Sequence, residues 1–128
     1  MEAEKDLLFR EECFDIKQSC IDVRRELGNG FLEKVYENAL KIALESKGYC
    51  VESQKEIDVL FQKQVVGKYF CDLLVNNKII IEMKCAVKIT AFHKAQLLNY
   101  LVATGYRLGL IINFPGDRTG FDIERVVN

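Results

Sequence analysis

The chain has 128 residues, of which 49% are apolar, enough for one compact core and too many for a disordered segment. Its 18 basic and 19 acidic residues balance to a formal charge of −1, so there is no overall basic field, and any site for a polyanion has to be a local patch. Five scattered cysteines (Cys13, Cys20, Cys50, Cys71, Cys85) form no CxxC pair; they read as free thiols in a reducing, cytoplasmic setting, with a zinc centre unlikely on this spacing. The charged start "MEAEKDLLFREE" does not resemble a signal peptide, and no run reaches the length of a membrane span.

In chain order, the first predicted element is a helix over 9–27. Phe9, Cys13, Ile16, Cys20, Val23 and Leu27 step by four and three along one stripe. "GNG" (28–30) turns the chain into a second helix over 31–47, with Leu32, Tyr36, Ala39, Leu40 and Ala43 on its apolar face. Glu33 lies on the flank of that face, between Leu40 and Leu44, whereas Glu37 falls further round and reads as ordinary surface. A partly alternating strand over 50–61 suits an edge. Strands over 66–75 and 79–85 follow, joined at "NNK", and both are apolar on both faces, as central strands are. A third helix covers 90–104 with Thr90 as its N-cap. Two strands, 107–114 and 121–127, end the chain. Gly28, Gly48 and Gly105 each close a helical pattern where a left-handed C-cap belongs.

The central strands carry charges that a core does not want. In "IIIEMKC" (79–85), alternation puts Ile79, Ile81, Met83 and Cys85 on one wall and Glu82 with Lys84 on the other. In the preceding strand Phe70, Asp72 and Leu74 are expected to share a face, with Cys71 on the opposite one. A three-residue loop, Asn76-Asn77-Lys78, pairs Val75 with Ile79 and so sets Asp72 opposite Glu82. A two-residue loop pairs Asp72 with Ile81 and separates the acids. Opposed acids repel unless a cation lies between them. The third helix has two bands: a core band of Leu97, Leu98, Leu101 and Val102, and a polar band of His93, Gln96 and Tyr100 beside it. Acids, a lysine and a polar helix face suit a hard cation such as Mg²⁺ or Mn²⁺, which takes oxygen ligands. A plainer reading stays open for each residue. The Asp72, Glu82 and Lys84 group could be a buried ion-pair cluster, and Glu33 an acid favoured by the helix dipole. Gln96 and Tyr100 could be helix–sheet contacts, and His93 a solvated ring. Lys88, Lys94 and Arg107 read as scattered surface charge, with phosphate contacts beside a cleft the alternative.

Asp72, then Glu82-x-Lys84, followed by "QLLNY" (96–100), resembles the PD-(D/E)XK nuclease superfamily and its RecB-like members. "GFLEKVY" (30–36) looks like the signature of the GxxExxY proteins. The similarity runs on through "VGKYFCDLLV", "IIIEMKC", "HKAQLLNYL" and "GLIINF", about residues 28–114. The usual proline before the first acid is absent, since the sequence there is "YFCD". The resemblance implies an α/β fold, a restriction-endonuclease-like αβββαβ core with a mixed sheet flanked by helices, plus an extra N-terminal helix over 9–27. Residues 1–128 then form a single domain with its core over about 28–127. It implies Mg²⁺ or Mn²⁺ at Asp72 and Glu82, with Glu33 a further metal ligand and Lys84 the catalytic lysine. Gln96, Tyr100 and, more weakly, His93 become substrate-binding residues. The implied activity is metal-dependent hydrolysis of phosphodiester bonds in nucleic acid, DNA ahead of RNA, with no membrane partner. The competing function is a catalytically silent nuclease fold that binds nucleic acid or a protein. In either case the N-terminal helix could cover the sheet or support a homodimer, and so small a domain suits a component of a larger complex.

Overall fold

A computed structural model describes residues 8–128; the charged segment 1–7 discussed above lies outside the described residues. The elements are α1 (Arg10–Leu27), α2 (Glu33–Ser46), β1 (Val51–Phe61), β2 (Gln64–Val75), β3 (Ile79–Lys84), α3 (Ala91–Thr104), β4 (Leu108–Asn113) and β5 (Asp122–Val127). The five strands form one mixed sheet in the order β1-β2-β3-β4-β5. β1, β2 and β3 make an antiparallel meander, β3 and β4 run parallel around α3, and β5 returns antiparallel to β4. This is the α/β, restriction-endonuclease-like arrangement expected from the sequence. No helix among the described residues is long and apolar enough to cross a membrane.

Two apolar clusters hold the layers. On one face Ile16, Cys20 and Val23 of α1 and Tyr36, Leu40 and Leu44 of α2 pack on Leu73, Ile79, Ile81, Met83 and Leu108, Leu110 and Ile112 of β4. The other face carries Leu97 and Leu101 of α3 on Leu74, Ile80 and Ile111. The N-terminal helix therefore covers the sheet. The helix faces are narrower than their patterns suggest: Leu32 is 80% exposed, and Leu98 and Val102 also face outward. Val65, Val66 and Phe70 are exposed although their strand is central, while Ile57 and Val59 on the paired strand pack against the α3 cluster.

The β2–β3 turn answers the register question. Asn76 and Asn77 both take left-handed backbone (φ 51° and 55°), which asparagine tolerates better than most residues. Lys78 N–H donates to the Val75 carbonyl at 3.0 Å, closing a tight turn with Lys78 as one extra residue before β3. The loop thus has three residues, and Val75 pairs with Ile79.

Polar side chains lock the loops around the sheet end where β3 stops. Asn113 is fully buried: its amide donates to Ala86 O at 3.0 Å, and its oxygen accepts from Ala86 N at 2.8 Å. That ties down the loop leading to α3. Thr90 caps α3 as expected, in a reciprocal box in which His93 N donates to Thr90 Oγ1 and Thr90 N to His93 Nδ1. Gly105 closes α3 in the left-handed conformation, whereas Gly28, at φ 72° and ψ −166°, leaves α1 through an extended one. Asn29 joins the "GNG" turn to the far loop through Pro115 O (2.7 Å) and Gly120 O (2.9 Å). Tyr36 is fully buried, stacks on Phe114 at 4.3 Å and donates its hydroxyl to Gly28 O at 2.7 Å.

Gly109 of β4 sets how closely α3 approaches the sheet. A Cβ there would lie 2.7 Å from Leu97 Cδ2 and 3.0 Å from its Cγ, and Leu97 is buried. Overpacking of this kind costs about 1–3 kcal/mol. Gly109→Ala should therefore lower the unfolding free energy by that amount in a denaturant titration, and the loss should shrink when Leu97→Ala removes the clash.

Candidate active site

Asp72 and Glu82 come together because both strands depart from simple alternation or pairing at this point. Tyr69 and Cys71 face α3, yet Leu73 and Val75 face α1 and α2. The side-chain alternation of β2 therefore reverses at Asp72. Gln54, between the paired positions Ser53↔Leu73 and Lys55↔Cys71, has φ 53°. The β2–β3 ladder ends at Leu73↔Ile81; its register, continued one step, sets Asp72 opposite Glu82. There the Asp72 side chain takes over from the backbone: Met83 N–H donates to Asp72 Oδ2 at 2.7 Å. Gln54 Nε2 donates to Asp72 Oδ1 at 3.1 Å. Phe70 thus does not share a face with Leu74, and Cys71 lies on the Glu82 side of the sheet rather than the opposite one, because the reversal intervenes.

Glu82 and Lys84 point from β3 toward α3, as expected. With His93, Gln96 and Tyr100 of α3, Tyr69 of β2 and the apolar floor of Leu97 and Ile111, they line a narrow cleft. Its free volume is about 30 Å³, room for a water molecule. Tyr69 donates its hydroxyl to Glu82 Oε1 and stacks on Tyr100 with ring centres 4.0 Å apart. The Lys84 ammonium forms no hydrogen bond or ion pair among the described residues. His93 spends Nδ1 on the helix cap, which leaves Nε2 to the cleft.

Burial and mutual repulsion dominate the electrostatics. Glu82 is pushed up to about 7, first by burial and then by the negative charge of Asp72; Tyr69, Lys84 and the Asp72 backbone oppose the rise. Burial also raises Asp72, against the Met83 and Gln54 hydrogen bonds. Burial beside Glu82 drives the Tyr69 hydroxyl well above its ordinary range. The Cys71 thiol, buried near the same carboxylate, is pushed up to about 12, an inert thiol rather than a nucleophile. A carboxyl raised by burial and by the charge of a neighbouring acid, as Glu82 is, presents the condition a cation relieves.

The third acid is not the expected one. Glu33 is exposed at the start of α2, and the side chain that feels its charge is Cys85. Glu37, which the helical wheel placed on the surface, is 3% exposed. Burial works against its charge, but hydrogen bonds from Lys34 (2.5 Å), Ser53 (2.8 Å) and Gln54 (2.9 Å) outweigh it and hold the carboxyl below its usual range. Glu37 is also the further acid whose charge reaches Asp72. No group of three His, Cys, Asp or Glu able to hold a metal occurs among the described residues, so Glu33 does not join Asp72 and Glu82 in a three-acid set. The donor set that is present is two carboxylates, all oxygen. That fits a hard divalent cation, which commonly takes one or two carboxylates and fills its shell with water and phosphate oxygens. Lys88 is exposed and Lys94 half-buried. Arg107 lines a separate hollow with Phe9, Asn77 and Lys78. Tyr69, Gln54 and Glu37 were not expected from the sequence. The one available signal was a tyrosine three residues before the first acid, which is weak by itself.

Comparison with known proteins agrees with this fold. Among solved structures, an alkaline exonuclease (LHK-Exo) from Laribacter hongkongensis superposes with a TM-score of 0.56 at 16% identity, over 74% of this chain and 55% of that one. SSO0001 superposes with a TM-score of 0.52 at 20% identity, over 74% and 50%. This chain therefore spans about half the length of each, and at these identities the likeness is one of fold. No curated protein sequence matches the chain. A family model of the PD-(D/E)XK nuclease superfamily matches residues 10–126, nearly the whole chain. On that match, which its mixed sheet and the neighbouring Asp72, Glu82 and Lys84 accompany, the chain belongs to the PD-(D/E)XK nuclease superfamily.

Proposed function

We propose that the protein is a divalent-cation-dependent nuclease that hydrolyses phosphodiester bonds, with Mg²⁺ or Mn²⁺ as the ion and DNA ahead of RNA as substrate. The observation that carries this reading is the pair of half-buried acids, Asp72 and Glu82, in which the charge of Asp72 disfavours that of Glu82 and beside which the Lys84 ammonium makes no hydrogen bond or ion pair among the described residues. Asp72 and Glu82 would hold the cation. When bound, it would polarise a phosphoryl oxygen and lower the pKa of a water. The remaining work falls to the chain itself. Tyr69 fixes one oxygen of Glu82, and the carboxylate's remaining lone pairs would face the ion. Lys84, two residues on and on the same strand face, sits where an ammonium can orient the attacking water or offset charge on the phosphate. Gln96 and the Tyr69–Tyr100 stack form the wall against which a nucleotide would lie, and His93 Nε2 offers one further polar contact.

The direct test is cleavage of single- and double-stranded DNA and RNA with Mg²⁺ or Mn²⁺. Lys84→Ala should retain cation binding by calorimetry and lose roughly 100-fold or more in turnover, the range for a positioned proton-transfer group. Cleavage by Asp72→Asn at the wild-type rate would sink the proposal. Nucleic-acid binding with no cation dependence and no turnover would instead identify a silent binding module.

Tyr69→Phe keeps the stack on Tyr100 and removes the hydroxyl from Glu82. Loss of a ligand-orienting partner typically costs roughly 10–100-fold in metal affinity or activity. The same loss should appear here in a Mn²⁺ titration, with the circular dichroism spectrum unchanged.

The raised Glu82 pKa has a stability consequence whose sign is fixed. Its folded value, about 7, lies above the ordinary glutamate value. The folded state therefore binds the proton more tightly. The stabilisation is complete below the ordinary value and is lost as pH rises through about 7. In cation-free protein, Glu82→Gln should melt above wild type at pH 8, and the gap should close as pH falls to 5. A gap independent of pH would contradict the raised value.

A further inference from the structure

We propose that Gln54, held by Glu37, is the positioning residue for Asp72; the inference rests on the reading of Asp72 as a cation ligand above. Gln54 lies inside an 11-residue strand, yet its backbone is left-handed at φ 53°. A long side chain rarely adopts that conformation. The bonds that reward it are made by the side-chain amide. One Nε2 proton goes to Glu37 Oε1 at 2.9 Å and the other to Asp72 Oδ1 at 3.1 Å. The left-handed turn is what aims one amide at two carboxylates on different elements.

Glu37 is well suited to be the anchor. It is 3% exposed on α2, and its second oxygen accepts from Ser53 Oγ at 2.8 Å and Lys34 Nζ at 2.5 Å. Three donors occupy most of the carboxylate's acceptor sites, and its charge is balanced by Lys34. Asp72 receives its other bond from Met83 N–H. Each Asp72 oxygen thus has one fixed donor, one from β1 and one from β3, and the carboxylate plane is set between the two strands. The remaining lone pairs are then aimed in advance of any ion. Preorganisation of this kind is how partners of a ligand raise affinity.

A merely structural bulge would require only the positive φ; the proposal requires the amide. Gln54→Gly separates the two, because glycine accepts the left-handed backbone and carries no donor. The readouts are Mn²⁺ affinity by calorimetry, melting temperature, and kcat and KM on a nucleic-acid substrate. Expected are a wild-type-like melt, Mn²⁺ affinity lower by roughly 10–100-fold, and a fall in kcat with KM unchanged. Should glycine destabilise the strand, Gln54→Asn repeats the test with a residue that tolerates the same backbone but is one methylene too short to bridge. Wild-type Mn²⁺ affinity in a folded Gln54 variant overturns the proposal. Asp72→Asn serves as the control. If it binds Mn²⁺ as wild type does, Asp72 is no ligand, and the metal reading fails together with the role of Gln54. If it loses Mn²⁺ while the Gln54 variants keep it, only the positioning role fails.

Discussion

The contact on which the site depends is the one between the Asp72 carboxylate and the Met83 backbone N–H. Where β2 and β3 stop pairing, a backbone donor would be left without its ladder partner, and a buried unpaired N–H is costly. Asp72 supplies the missing acceptor from its side chain. The cost of opening the sheet is thereby offset by the same residue that gains a place in the opening. Glu82, next to Met83 on β3, is then drawn beside Asp72 with little freedom to move away.

The resulting cluster works against the stability of the fold. Two acids sit close in a partly buried region, and each is held above its ordinary pKa by burial, with Asp72 repelling Glu82 in addition. An apolar pair of the same volume would suit the sheet better. The surrounding structure is correspondingly rigid. β3 and β4 pair along their full six residues. Asn113 fastens the loop beyond β3, and the Thr90–His93 box fastens the start of α3. Gly109 lets α3 close onto the sheet. Each of these holds one wall of the cleft without touching its acids. His93 belongs to both sets, since it caps the helix with one ring nitrogen and faces the cleft with the other.

Much of this could be read from the amino-acid sequence, and the exceptions have physical causes. Element order, the Thr90 cap and the Glu82–Lys84 face follow from local periodicity, and local periodicity survives folding. The three-residue turn register was one of two open choices; it was decided by two consecutive left-handed asparagines, which the residues permit but do not require. The face of Phe70, Asp72 and Leu74 was misread because alternation assumes an uninterrupted strand, and β2 reverses at Asp72. Nothing near Asp72 in the chain signals that reversal; its partner Gln54 is eighteen residues upstream. Glu33 and Glu37 were exchanged for a related reason. A helical wheel ranks positions by the apolar stripe of their own helix. Here polar partners on β1, Ser53 and Gln54, draw Glu37 inward beside the stripe, while Glu33 lies in the first turn, where the helix begins and solvent reaches it.

That exchange changes how the "GFLEKVY" segment is understood. Its tyrosine is a structural anchor: Tyr36 is fully buried against Phe114 and ties the "GNG" turn to the core through Gly28. Once Tyr36 is fixed, the helix phase is fixed, and the residue one position on must lie about 100° further round. That direction is toward β1, so the acid after the tyrosine meets Ser53 and Gln54. The acid three residues before it lies one turn earlier, near the end of β3, where its charge falls on Cys85. The buried ring of Tyr36 thus sets the phase of both glutamates, which differ by only about 40°, and their separation of one turn along the axis decides which of them reaches Asp72.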